Sequence, residues 1–158
     1  MGRIIDALIA TGSVFGAQYA GRELSPTDNR SVRRWYTKLE KPAVTPPAPV
    51  FAVVWTVLDG LLAYSGYKLL RAEKSSARTV ALCFWALCVA GVAGFPFVLF
   101  RERRLDASLA LCISLIMASG GAISSAEKVN KCAAWVQVPF FVWLVFATFL
   151  QEEVWRRN

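Results

Sequence analysis

Long uncharged apolar stretches constrain this chain more than any other feature. Five follow one another: Ala7 to Gly21, Pro42 to Leu58 continuing past Asp59 to Tyr67, Thr79 to Phe100, Ala107 to Ala126, and Cys132 to Gln151. A helix crossing a hydrocarbon core about 30 Å thick needs about 20 such residues. With no water to satisfy the backbone there, only helices and closed barrels can span. Composition agrees, because 56% of residues are hydrophobic and only 18% charged, against about 45–50% and about 25% in soluble domains. The sequence therefore predicts an all-α integral membrane protein, a single bundle of five transmembrane helices over residues 1–158.

The first stretch is short and gains length if Ile4 and Ile5 join it with Asp6 at the interface. It reads as a retained span rather than a cleaved leader, since Gly12, Gly16 and Ala20 set small residues on one face for close packing. Most connections are short, but Arg22 to Pro46 is rich in charge and proline and is too long for a turn, so it is the candidate functional loop. Pro46, Pro47 and Pro49 suit the opening turn of the second span, where a missing amide donor costs little. Of the 18 Lys and Arg residues, 11 fall on the side of that loop and 7 on the side of the amino terminus. By the positive-inside rule the loop and the carboxyl terminus are cytoplasmic.

Several chemistries drop out. The chain has no histidine, which removes the commonest general base, the Ser-His and Cys-His pairs and the usual zinc and haem ligand. Cys83, Cys88, Cys112 and Cys132 show no CxxC spacing and read as small buried hydrophobes. The net charge of +7 is spread over the connections, a topology signal rather than a nucleic-acid footprint, so no nucleic-acid partner and no metal are expected.

Among the aromatics, Trp155 suits an interfacial belt. Trp143 stands near the middle of its stretch, and Trp55 is nine residues past Pro46, about 14 Å along a helix. At that depth both fit a pocket for a flat conjugated ligand. Asp59 lies midway along its span, where an ionisable group costs about 2.5–3.5 kcal/mol on insertion scales. It is either a cavity carboxyl that meets ligand or protons, or a neutral acid bonded to a neighbouring polar group. No Lys or Arg lies within the stretches to pair with it, which favours the neutral form.

The segment Trp35-Tyr36-Thr37-Lys38-Leu39-Glu40-Lys41-Pro42-Ala43-Val44-Thr45-Pro46-Pro47 runs into Phe51 and Val54-Trp55-Thr56-Val57-Leu58. It resembles the TspO/MBR family of tryptophan-rich sensory and mitochondrial translocator proteins, whose first loop reads WYxxLxKPxWxPP before an FxxVWTxLY helix. Val138-Pro139-Phe140-Phe141-Val142-Trp143-Leu144-Val145-Phe146-Ala147-Thr148-Phe149-Leu150 is similar to the family's VPYLxWxxFATxLN. Phe97 to Arg101 with Ala107 resembles its FFxxR and Ala positions. The departures make the pocket more apolar: Val44 stands for the tryptophan of KPxW, Phe95 for a tryptophan and Phe140 for a tyrosine, while Cys88 and Val92 replace glutamine and asparagine. Asp59 stands where the family has the tyrosine after VWTxL.

The resemblance implies a cavity under the first loop that takes protoporphyrin IX, other porphyrins or sterol-type ligands. Its residues here would be Trp35, Pro42, Pro47, Phe51, Trp55, Asp59, Phe95, Phe140, Trp143, Phe146 and Ala147. It further implies light- and oxygen-dependent porphyrin breakdown with Trp35 and Trp143 as the responsible indoles. No cofactor is required, and metal-free porphyrin is a better ligand than haem, which is usually held by side chains such as His, Cys, Met or Tyr. Arg30, Arg33, Arg34, Lys38 and Lys41, with Arg22, could meet propionates or anionic headgroups. Ala86, Ala90 and Gly94 recur every four residues on the third span and serve either packing within the bundle or a homodimer. The expected role is sensing, sequestering or disposing of tetrapyrroles in a bacterial plasma membrane or mitochondrial outer membrane. Transport of such ligands and a non-catalytic receptor are the alternatives.

Overall fold

The computed structural model describes residues 2–158, with the side chain of Arg22 left out. Among the described residues all regular structure is helical: α1 (Gly2–Arg22), α2 (Arg30–Lys38), α3 (Ala48–Leu70), α4 (Ser76–Pro96), α5 (Leu105–Glu127), α6 (Lys131–Trp135) and α7 (Val138–Arg157). Among the described residues four segments are long and apolar enough to cross a membrane, namely Ala48–Leu70, Ser76–Arg101, Leu105–Glu127 and Lys131–Arg157. The chain is thus an integral, multi-pass membrane protein. The expectation of five spans is met in four, because α1, although 21 residues long, carries Arg3, Asp6, Thr11, Ser13 and Gln18 and is less apolar.

Proline shapes the two longest segments. Pro96 lies inside the third expected span and has no N–H to donate, so the backbone loosens into a π-helical turn over Phe97–Arg101, with Glu102 N donating to Phe97 O at 3.0 Å. The last span is not continuous from Cys132. Its first turn is α6, and α7 starts anew after Gln137 with Pro139 in its opening turn, where the missing donor is harmless. The long first loop contains helix α2, which the sequence reading missed. Its signal is Asn29, whose Oδ1 accepts from Ser31 N at 3.0 Å and Val32 N at 3.2 Å.

Helix α3 is the hub of the bundle, meeting α1, α4, α6 and α7. Asp59 lies near Gln18 of α1. Leu62 O accepts from Trp85 Nε1 of α4 at 2.9 Å. Ser65 Oγ donates to Ala133 O of α6 at 2.8 Å and accepts from Gln137 Nε2 at 2.8 Å. At the far end the Arg78 guanidinium donates to Leu69 O at 2.9 Å and Leu70 O at 2.7 Å, closing the carbonyl end of α3 with a positive charge. The sides of the bundle follow from two contacts. Glu40 N donates to Asn158 Oδ1 at 3.0 Å, and Arg103 Nη2 donates to Ser31 Oγ at 3.1 Å, so α2, the α4–α5 turn and the carboxyl terminus share one end.

One packing expectation fails. Nothing lies within 4 Å of a Cβ built at Gly12 or Gly16, and α1 packs instead through Ala10 and Val14, both buried, with Gly21 against Pro96. The small stripe turns outward because the more complementary face, carrying Gln18 for Asp59, turns in. Close approach is needed instead at Gly66, where a Cβ would stand 2.4 Å from the Trp85 ring. Gly66→Ala should therefore lower the thermal midpoint in detergent, at a cost of about 1–3 kcal/mol for overpacking. Trp85→Phe in the same background should recover part of the loss, since the smaller ring vacates the position a Cβ would take.

Candidate functional site

Two aromatic stripes face each other across α3 and α7. Phe51 and Trp55 are one turn apart on α3, and Phe140, Trp143 and Phe146 follow the same face of α7. Phe51 and Trp143 meet edge to face at 5.5 Å and 74°, Trp55 and Phe140 at 6.3 Å and 72°, and Trp143 and Phe146 tilt together at 5.4 Å. Each such pair contributes about 0.5–1.5 kcal/mol beyond burial. Phe140 is fully buried, while Phe51, Trp55, Trp143, Phe146 and Ala147 are half-buried. The Trp143 Nε1 is itself buried and has no hydrogen-bond acceptor, an uncommon state for an indole N–H and a costly one.

A second aromatic group sits at the loop end. Tyr36 meets Phe100 edge to face at 5.6 Å, and the Arg103 guanidinium lies 5.6 Å from the Trp35 ring centre. Arg103 has a left-handed backbone, φ 55°, a strained conformation for a residue other than glycine. That backbone places its side chain between Trp35 and Ser31. Lys41 Nζ sits 4.3 Å over the Tyr36 ring and donates to Tyr36 O. Burial pushes the Tyr36 hydroxyl pKa up and the Lys41 ammonium pKa down. Pro42 is buried and Pro47 exposed. Of the expected site residues, the structure thus brings Phe51, Trp55, Phe140, Trp143 and Phe146 together and puts Trp35 in a separate group. Phe95 is half-buried on α4 and makes no ring contact with either group among the described residues.

Asp59 is 3% exposed. Its Oδ1 has no hydrogen-bond partner, and no cation is paired with it among the described residues. Its polar neighbour Gln18 comes from α1, whereas the ring stripes of α3 meet α7. The same described residues hold no group of three or more His, Cys, Asp or Glu that could take a metal.

The TspO/MBR family profile matches residues 8–156. The chain belongs to the TspO/MBR family. It is 29% identical over 156 residues to the tryptophan-rich protein TspO of Bacillus cereus, covering 97% of each chain. It is also 28% identical over 156 residues to the translocator protein of Bos taurus, covering 96% of this chain and 86% of that one. A third relative is the tryptophan-rich sensory protein of Cereibacter sphaeroides, 28% identical over 124 residues with 78% and 77% covered.

For a TspO/MBR chain, the polar interior is where sequence reading fell short. Gln18, Ser65 and Gln137 were not singled out, although an amide or hydroxyl in an apolar span must find a partner inside the protein. Gln137 is fully buried and its Oε1 has no partner; Ser119 Oγ is likewise buried and unpaired. One further link joins α5 to α7, since Gln151 Nε2 donates to Ser108 Oγ at 2.8 Å, while Ser108 Oγ itself donates to Leu105 O of its own helix at 2.9 Å. The Asp59–Gln18 contact is testable by a double-mutant cycle. Gln18→Leu should cost about 1–3 kcal/mol by stranding the buried carboxyl, and adding Asp59→Leu should recover most of it. Unfolding midpoints of the four proteins in one detergent measure this coupling.

Proposed function

We propose that this TspO/MBR protein binds porphyrins, protoporphyrin IX foremost, and similar flat hydrophobic ligands between α3 and α7 beneath the α2 loop. What carries the proposal is the buried, unpaired Trp143 Nε1 amid Phe51 and Phe146. Aromatic faces stack on a conjugated macrocycle, and an unsatisfied N–H gains an acceptor when a ligand enters. The basic residues Arg33, Arg34, Lys38 and Arg103 on α2 and the α4–α5 turn supply counter-charges for propionates. Trp35, Pro42, Pro47, Asp59, Phe95, Phe140 and Ala147 complete the proposed lining, with α2 as the element that must move to bring Trp35 to the ligand.

In this reading α1 is the fifth span. Its 21 residues reach about 31 Å, matching a hydrocarbon core of about 30 Å, and Ile4, Ile5, Leu8, Ile9 and Phe15 are exposed to the surroundings. The loop end, with its excess of Lys and Arg, is cytoplasmic. Ala86 and Ala90 face outward on α4, where a second copy could pack. The role is sensing, sequestration or light-dependent breakdown of tetrapyrroles. In the last case Trp143, and Trp35 after movement of α2, would be the oxidisable indoles beside the photosensitiser, with dioxygen as oxidant.

Protoporphyrin IX titrated into the detergent-solubilised protein tests this. Tryptophan fluorescence should quench saturably in darkness, and Trp143→Phe should weaken binding about tenfold, the worth of roughly one 1.4 kcal/mol contact. Under light and air the porphyrin band should bleach, and Trp143→Phe and Trp35→Phe should suppress the bleaching. Dark binding without bleaching would leave a receptor or carrier; absence of saturable binding would overturn the proposal.

A further inference from the structure

Away from the aromatic stripes, α1 and α3 leave an outward groove of about 340 Å³. We propose that this groove is a binding site for one anionic glycerophospholipid, with an acyl chain between the helices and the phosphate held by Arg3, Lys68 and Arg71. Its lining runs from Ala7 through Thr11 to Phe15 on α1 and from Gly60 through Tyr64 to Tyr67 on α3. Phe15 lies eight residues after Ala7, about 12 Å along a helix axis, a slot that runs in the direction of an extended hydrocarbon chain and takes roughly half of a long acyl chain. The absence of a side chain at Gly60 helps make the slot, since a Cβ built there meets no atom within 4 Å.

The chemistry at the end of the groove selects the lipid. Arg3 lies four residues before Ala7, and Arg71 four residues after Tyr67, so each continues its groove face by one turn towards the interface. Lys68 Nζ stands 5.9 Å over the Tyr64 ring at the groove wall. Along α1 and from Lys68 into the turn after α3, Arg3, Lys68, Arg71 and Lys74 outnumber Asp6 and Glu73 by two charges. A phosphodiester that carries a net negative charge complements that surface, whereas a zwitterionic headgroup or a sterol hydroxyl does not. Tyr64 and Tyr67 provide amphipathic rings of the kind that settle at headgroup depth.

The test is native mass spectrometry of the full chain after exchange into micelles holding equal amounts of dioleoyl phosphatidylglycerol and dioleoyl phosphatidylcholine. One phosphatidylglycerol per chain should be retained, favoured about tenfold over phosphatidylcholine. Gly60→Leu and, independently, Thr11→Phe fill the slot and should each cut that retention about tenfold. Arg3→Gln with Lys68→Gln and Arg71→Gln should abolish the preference between the two lipids. Equal retention of both lipids by the unaltered protein would overturn the proposal. So would a preference that survives both groove-filling variants, or cholesterol displacing phosphatidylglycerol at equal concentration. Protoporphyrin binding measured on Gly60→Leu should stay unchanged, which separates this site from the one between α3 and α7.

Discussion

Hydrocarbon offers no hydrogen bonds, and the bundle is organised by how α3 answers that constraint. Asp59, Leu62 and Ser65 follow at intervals of three, each step turning about 60° around the helix. Each turns a polar group towards a different neighbour: Asp59 lies near Gln18 of α1, the Leu62 carbonyl accepts from Trp85 of α4, and Ser65 donates to Ala133 of α6. One turn earlier the same helix presents Phe51 and Trp55 to α7. The helix is thereby fixed in rotation by two hydrogen bonds to different neighbours, and its aromatic stripe is aimed as a consequence. Apolar burial alone would not hold a helix in one rotational setting when lipid is as apolar as its neighbours.

What the sequence disclosed follows from the same physics. The long apolar stretches and their ends were readable because charge is excluded from hydrocarbon, and the pairing of Phe51, Trp55, Trp143 and Phe146 followed from motifs carried by two separate spans. Helix α2 was hidden because a nine-residue amphipathic segment leaves no long apolar run; its Asn29 cap was the available mark. The break between α6 and α7 was hidden too, since Val136 and Gln137 interrupt the helix without a charge, and only Pro139 marks the restart. The facing of α1 was misjudged from Gly12 and Gly16 because small residues permit close packing without requiring it. The buried face carries Ala10 and Val14, and Gln18 comes near Asp59, 41 positions away.

The placement of Trp35 bears on how the site would work. Its guanidinium neighbour Arg103 belongs to the turn after the π-helical end of α4, so α2 is held to α4 rather than laid over the rings of α3 and α7. Pro96 is therefore coupled to the loop. The looser turn it enforces leads into the Arg103 backbone at positive φ, and that backbone carries the side chain that meets Ser31 and Trp35. A change at the end of α4 would be felt first by α2, and any motion bringing Trp35 towards Trp143 must break the Arg103 contacts.

The departures from the family pattern divide by depth. Val44 is 58% exposed, so the missing tryptophan there removes surface from the loop and leaves the packing of the bundle alone. Asp59, Cys88, Val92 and Phe140 are buried and lie in the interior. Cys88, Val92 and Phe140 fill core space beside Leu62 and Trp85 in one cluster, and Asp59 has acquired Gln18. Three of the four interior substitutions are thus apolar and pack into the core, while Asp59 keeps a buried oxygen without a partner. The half-buried ring faces of Phe51, Trp55 and Trp143 match the family's motif positions. For the proposed flat ligand, the surfaces that would stack are therefore in place, while the hydrogen-bonding side chains that would distinguish one such ligand from another are fewer, which leaves the indole N–H groups of Trp55 and Trp143 as the directional donors at the ring cluster.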